Sequence, residues 1–173
     1  MNRDEKRKQV REAVLRCRNR GLDLDIAVGL IMTANPPSAR LETPLHSLVS
    51  HFQTTTNPHL FVVDAEGELV GLLTPRDLLA QPTHRARSTE HCTDDEARRE
   101  SGAQMTASDL VSEELVSVEP STSVRRALRL MIALELPCLP VCSRDVPIGI
   151  LTSADLHLFT EELLSGMPTA QAL

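Results

Sequence analysis

The chain has 173 residues, 41% hydrophobic and 24% charged, a balance that excludes a disordered chain and allows one ordinary domain or two small ones sharing a core. With three Phe and no Trp or Tyr, any core is aliphatic, which argues against a broad aromatic platform for single-stranded nucleic acid. The net charge of −6 is uneven: residues 1–20 carry eight Lys or Arg against three Asp or Glu, and the remainder ten against twenty-one.

Residues 4–20 read as a charged helix with Val10, Val14 and Cys17 on one stripe, closed by Gly21. As a basic arm it would suit nucleic acid or an acidic partner; as a plain solvated helix it would need neither. Leu22, Leu24, Ile26 and Val28 alternate with other residues, as a strand or a tight helical turn. Asn35-Pro36-Pro37 breaks the chain, and Thr43-Pro44 opens a helix with Leu45, Leu48, Val49 and Phe52 on its apolar face. Asn57-Pro58 ends it. Leu60 to Val63 is a buried strand, Asp64 to Gly67 a hairpin turn, Leu69 to Leu73 the returning strand, and Thr74 caps a short helix. Residues 81–104 are polar and form a linker or loop.

The second half runs the same way. Leu115 to Val118 is extended, and a helix follows with Val124, Ala127, Leu128, Met131 and Ile132 on one face. Leu139 to Val141 and Pro147 to Leu151 are strands, and Thr152 caps a last helix reaching about Leu164, with Gly166 and Pro168 beyond it. Gly71-Leu72-Leu73-Thr74-Pro75-Arg76-Asp77 therefore returns as Gly149-Ile150-Leu151-Thr152-Ser153-Ala154-Asp155, 78 residues later. The second hairpin turn, Ser143-Arg144-Asp145, is one residue shorter and has no counterpart of Gly67. The division expected is a basic N-terminal helix or arm at 1–21, a first repeat at 22–80, a polar linker at 81–104 and a second repeat at 105–173. A repeat of this size is marginal alone and should bury its sheet face against its twin.

Cys17, Cys92, Cys138 and Cys142 have no zinc-like spacing, and His84, His91 and Cys92 lack a fourth regular ligand, so no metal is expected. The opening residues are charged, without the apolar stretch of a signal peptide, and no run is long enough to span a membrane. A soluble protein of the reducing cytoplasm is the expectation. No nucleophile elbow, poised carboxylate pair or Gly-rich phosphate loop is present, so no enzyme is expected.

Met32-Thr33, the amphipathic helix, the Val-Val-Asp strand end and the Gly-x-x-Thr-x-x-Asp close, with the helix pattern and the close repeated in the other half, resemble a tandem pair of CBS domains, a Bateman module. The resemblance covers residues 30–80 and 105–164. It implies an α+β fold of two β-α-β-β-α repeats packed as a pseudo-two-fold pair, with the N-terminal helix outside it. Phe61 stands where the family usually has Pro, and Cys142-Ser143 replaces the usual Val-Asp, which makes the two repeats unequal.

The resemblance also implies an adenine nucleotide bound in clefts between the repeats: AMP, ADP, ATP or S-adenosylmethionine, with no cofactor in the catalytic sense. Asp77 and Asp155 would hold the ribose hydroxyls, since a carboxylate accepts paired hydrogen bonds, with Thr74 and Thr152 beside them at helix N-termini. The plainer role for all four is a capping box. Arg76 and His59 would take phosphate; their counterparts, Ala154 and Pro137-Cys138, carry no charge. The adenine region would be Thr33 to Ser38, Ser112 to Ser117, and Leu136. A homodimer through the Leu45–Phe52 and Val124–Ile132 helices with the final helix is implied as well. The other reading is a ligand-free scaffold that dimerises and reaches a partner protein or nucleic acid through the basic arm.

Overall fold

The computed structural model describes residues 3–19, 26–55, 58–79, 105–111 and 115–165. Gly21, Leu22, Leu24, Asn57, residues 81–104 with their His and Cys, Ser112, Gly166 and Pro168 lie outside them, as does the side chain of Cys17. The elements are α1 (Arg3–Asn19), β1 (Thr33–Ala34), β2 (Ser38–Arg40), α2 (Leu45–Thr54), β3 (Leu60–Val63), β4 (Leu69–Leu73), α3 (Pro75–Leu79), α4 (Val124–Ala133), β5 (Cys138–Ser143), β6 (Val146–Thr152) and α5 (Ser153–Ser165), with 3-10 turns at Val28–Leu30 and Ala107–Asp109. No described helix is long and apolar enough to cross a membrane.

The chain divides into two compact units, one from Met1–Pro36 with Val116–Leu173, the other Pro37–Leu115. They are not the sequence repeats. The opening segment of each repeat folds with the body of the other. In the first unit, Val28 N–H donates to Thr122 O (2.8 Å), Gly29 N–H to Pro120 O (3.0 Å) and Val124 N–H to Ile26 O (2.8 Å). β1 then joins β6, with Thr33 opposite Ile150 and Ala34 opposite Gly149, so the sheet runs β1-β6-β5, all antiparallel. In the second unit, Leu45 N–H donates to Met105 O (2.8 Å), Ala107 N–H to Thr43 O (2.9 Å) and Ser108 N–H to Leu41 O (3.0 Å). Its sheet runs β2-β3-β4, with β2 parallel to β3 and β3 antiparallel to β4.

The first unit holds the larger core. Val28, Ile31, Leu139, Val141, Leu151 and Phe159 lie at its centre, and Val10, Ala13 and Val14 of α1 are part of the same cluster. The basic N-terminal segment is thus a docked helix: its stripe is buried at 0–3% exposure, which provides the apolar burial that holds a charged helix in place. Gln9 Nε2 adds a bond to Leu30 O (3.0 Å), and Arg7 and Arg11 pair with Glu161 (3.3 Å) and Glu162 (3.2 Å) of α5. The second unit centres on Leu48, Leu60, Val62, Leu73 and Ala107.

Two local expectations are sharpened. Pro44 is the N-cap of α2, not a residue inside its first turn; it takes extended backbone angles and offers no side-chain cap, and Met105 O receives the Leu45 N–H instead. Of the α2 apolar face, Leu48 is buried, Leu45 and Phe52 are half-buried, and Val49 is 36% exposed. The hairpins behave as their turns require. Gly67 takes φ +86°, and the shorter turn puts both Arg144 and Asp145 at positive φ, 50° and 66°.

Candidate functional site

Each Gly-x-x-Thr-x-x-Asp stretch is a strand end turning into a helix. The threonine leaves the strand and the aspartate returns its carboxylate to cap the helix start. At the first corner Asp77 Oδ2 accepts from Thr74 N–H (2.7 Å) and Thr74 Oγ1–H (2.7 Å). At the second, Asp155 Oδ2 accepts from Thr152 N–H (2.8 Å) and Oγ1–H (2.7 Å), and Asp155 N–H donates to Thr152 Oγ1 (3.3 Å). The capping box is therefore complete at the second corner, while at the first Asp77 caps the Thr74 N–H and its own N–H donates to the Thr74 carbonyl (3.0 Å). A third Thr-x-x-Asp, Thr106 to Asp109, forms a capping box on a 3-10 turn, with Thr106 N–H to Asp109 Oδ2 at 2.9 Å. It follows no strand. Capping bonds alone do not mark a ligand site; what surrounds the carboxylate does.

The surroundings differ. Asp77 is half-buried, and its Oδ1 accepts no hydrogen bond or ion pair from a described residue. Leu60 faces Leu73 in the β3–β4 register, so the next step along each chain brings His59 alongside Thr74. His59 is half-buried there and Arg76 is exposed on α3. The first corner thus gathers a carboxylate, a hydroxyl and two basic residues at one end of one hairpin.

Asp155 is 5% exposed, and both its oxygens are engaged. Oδ1 accepts from Lys6 Nζ of α1 (2.8 Å) and Thr33 Oγ1 of β1 (3.1 Å). Lys6 also donates to Ile31 O. Burial pushes the Lys6 ammonium below the ordinary lysine value, while the hydrogen bond and charge of Asp155 pull it back up. In the strand register Cys138, not a basic residue, faces Thr152. Burial raises the Cys138 thiol to about 11, so it stays protonated near neutral pH.

The residues expected around an adenine are dispersed. Thr33 is committed to Asp155. Leu136 is half-buried against the core of the first unit. Ser117 is exposed beside the Cys142 thiol, whose pKa burial raises and Ser117 lowers in smaller measure. Ser38 is exposed on β2 and lines a cavity of about 360 Å³ in the second unit with Arg40, Thr43, Ser47 and His51. His51 Nε2 is buried there without a hydrogen-bond partner among the described residues. Lys6, Arg40 and His51 were not among the residues singled out. Lys6 carried a signal only as one of eight basic residues in the first twenty, and nothing in the chain order points from position 6 to position 155. No group of three metal-ligating side chains converges among the described residues.

These features meet the comparisons with known proteins. The family model of the CBS domain matches twice, at residues 27–82 and 107–159, more than half the chain. The chain belongs to the CBS domain family, as a tandem pair. Among solved structures it is similar to CBSX2 in complex with AMP, with 23% identity, a TM-score of 0.62, and coverage of 80% of this chain and 96% of that one. It is also similar to the CBS domain pair of MJ0100 in complex with 5′-methylthioadenosine and S-adenosyl-L-methionine (18% identity, TM-score 0.57, 76% and 97% covered). The cytosolic domain of the Mg2+ channel MgtE in complex with ATP matches at 22% identity and TM-score 0.58, covering 84% of this chain and 51% of that one. The comparison with curated proteins gave no match.

Proposed function

We propose that this CBS pair is a regulatory module that senses an adenine nucleotide, with the corner at Asp77 as its ligand site. The observation that carries the reading is the Asp77 carboxylate, with Oδ1 unengaged among the described residues, beside Thr74, His59 and Arg76 at the same hairpin end. A half-buried carboxylate with one oxygen unengaged by any described residue suits the paired hydroxyls of a ribose, and the two basic groups suit a phosphate tail. AMP, ADP, ATP and S-adenosylmethionine are the candidate ligands, and similar structures holding AMP, S-adenosylmethionine or ATP support the class. The role is regulatory and not catalytic. Binding shifts the population of module or dimer conformations, by as much as the ligand's affinities for them differ.

A homodimer fits the apolar side chains left open on three helices: Val49 on α2, Ile132 on α4 at 69% exposure and Leu164 on α5 at 57%. The α2 side also carries a groove of about 560 Å³ lined by Leu45, His46, Val49, Ser50 and Met105. For the scaffold reading, Lys6, Arg7 and Arg11 of the basic helix are already paired with carboxylates of their own unit, which leaves Lys8 and Arg16 as its exposed described cations. Calorimetry of the full chain against AMP, ADP, ATP and S-adenosylmethionine tests the nucleotide reading. Micromolar binding of at least one is expected; binding of none would leave the scaffold.

A further inference from the structure

The two corners share a sequence signature and differ in what fills them. All four acceptor positions of the Asp155 carboxylate are used: Oδ1 by Lys6 Nζ and Thr33 Oγ1, Oδ2 by Thr152 N and Oγ1. A ribose arriving there would have to displace one of them. Thr152 cannot leave without uncapping α5. Lys6 is fixed from its own side, because α1 is seated by Val10, Ala13 and Val14 in the core and by the pairs from Arg7 and Arg11 to Glu161 and Glu162. The Lys6 side chain is 11% exposed and its ammonium also serves the Ile31 carbonyl. An ammonium buried against a carboxylate is costly to separate from it, since each would be left as an uncompensated buried charge.

We infer that Lys6 is a built-in occupant of the second ligand corner. It stands on Asp155 where a ribose hydroxyl would bind, so the module takes adenine nucleotide at the Asp77 corner only. This rests on the nucleotide reading above. The ammonium supplies hydrogen-bond donors and positive charge to the carboxylate, which a pair of hydroxyls would otherwise satisfy. α1 thereby turns one of two sequence-equivalent corners into a structural joint and sets the stoichiometry at one ligand per chain.

Lys6 and Lys8 are the only lysines, and Lys8 is exposed, so the chain contains its own control. Reductive methylation of the wild-type chain, read by peptide mass spectrometry with and without saturating AMP, should modify Lys8 and spare Lys6 in both states. Lys6 reacting at the rate of Lys8, or becoming reactive when AMP saturates the protein, would overturn the inference. Calorimetry with AMP should give one equivalent for wild type, two for Lys6→Ala, and one again for Lys6→Ala with Asp77→Ala. Two equivalents in wild type, or weaker binding in Lys6→Ala, would show Lys6 to be no occupant. If Lys6→Ala fails to fold, the labelling result decides. A wild-type chain that binds no adenine ligand while Lys6 stays protected would count against the nucleotide reading and not against the occupation of Asp155.

Discussion

At the scale of single residues, burial decides chemistry. Cys138 is 4% exposed on β5, and its thiol is raised from the ordinary 9.0 to about 11. The folded form holds its proton where the unfolded form loses it. Its contribution to stability is therefore complete below pH 9.0 and is lost as pH rises through about 11. Native protein at pH 8 should resist alkylation at Cys138 while urea-unfolded protein is alkylated; rapid native labelling would contradict the assignment. Gly149 shows another single-residue constraint. A Cβ built there would collide with Sδ of Met32, which crosses β6 at that point. The neighbour is a flexible thioether side chain, so an added methyl can be met by a shift of Met32. Gly149→Ala should destabilise the chain by about 1 kcal/mol, the low end of the overpacking range, as read by urea unfolding. An unchanged midpoint would mean that Met32 swings aside freely.

At the scale of elements, local pattern was largely legible. The helix of residues 4–20, the strands Leu60–Val63 and Leu69–Leu73, and the helix ending near Leu164 lie within a residue or two of where periodicity and turn residues put them. The ambiguous stretch at Ile26 to Val28 resolves as a bridge at Ala27 leading into a 3-10 turn, because Val28 and Val124 N–H find partners across the same unit. The shortened hairpin is a strained element, with two successive non-glycine residues at positive φ. A two-residue turn with both φ values positive suits Asn-Gly, and this chain has Arg144-Asp145. Replacing them with Arg144→Asn and Asp145→Gly should raise stability by about 1 kcal/mol, since a non-glycine residue at positive φ costs about that much. A lowered melting temperature would show that the arginine makes a compensating contact.

At the scale of the whole molecule, the repeat was legible and the exchange between repeats was not. An amphipathic segment declares which face it buries but not which sheet receives it. Ile26, Val28, Ile31 and Met32 could close the sheet of either repeat as far as spacing goes; they sit with β5 and β6. That exchange carries Thr33 of the first repeat to Asp155 of the second, and docking of α1 brings Lys6 to the same carboxylate. The candidate site was half legible for the same reason. Thr74–Asp77 and Thr152–Asp155 are local pairs, found from sequence, whereas the contacts that make them unequal span more than a hundred residues. The measurement that bears most directly on the nucleotide-sensor account is a calorimetric titration of AMP into wild type and Asp77→Ala. The account predicts micromolar binding to wild type that weakens by about 1–3 kcal/mol in the variant, the cost of removing a charged hydrogen-bond partner. Equal affinity in the two proteins, with the fold of the variant intact, would contradict it.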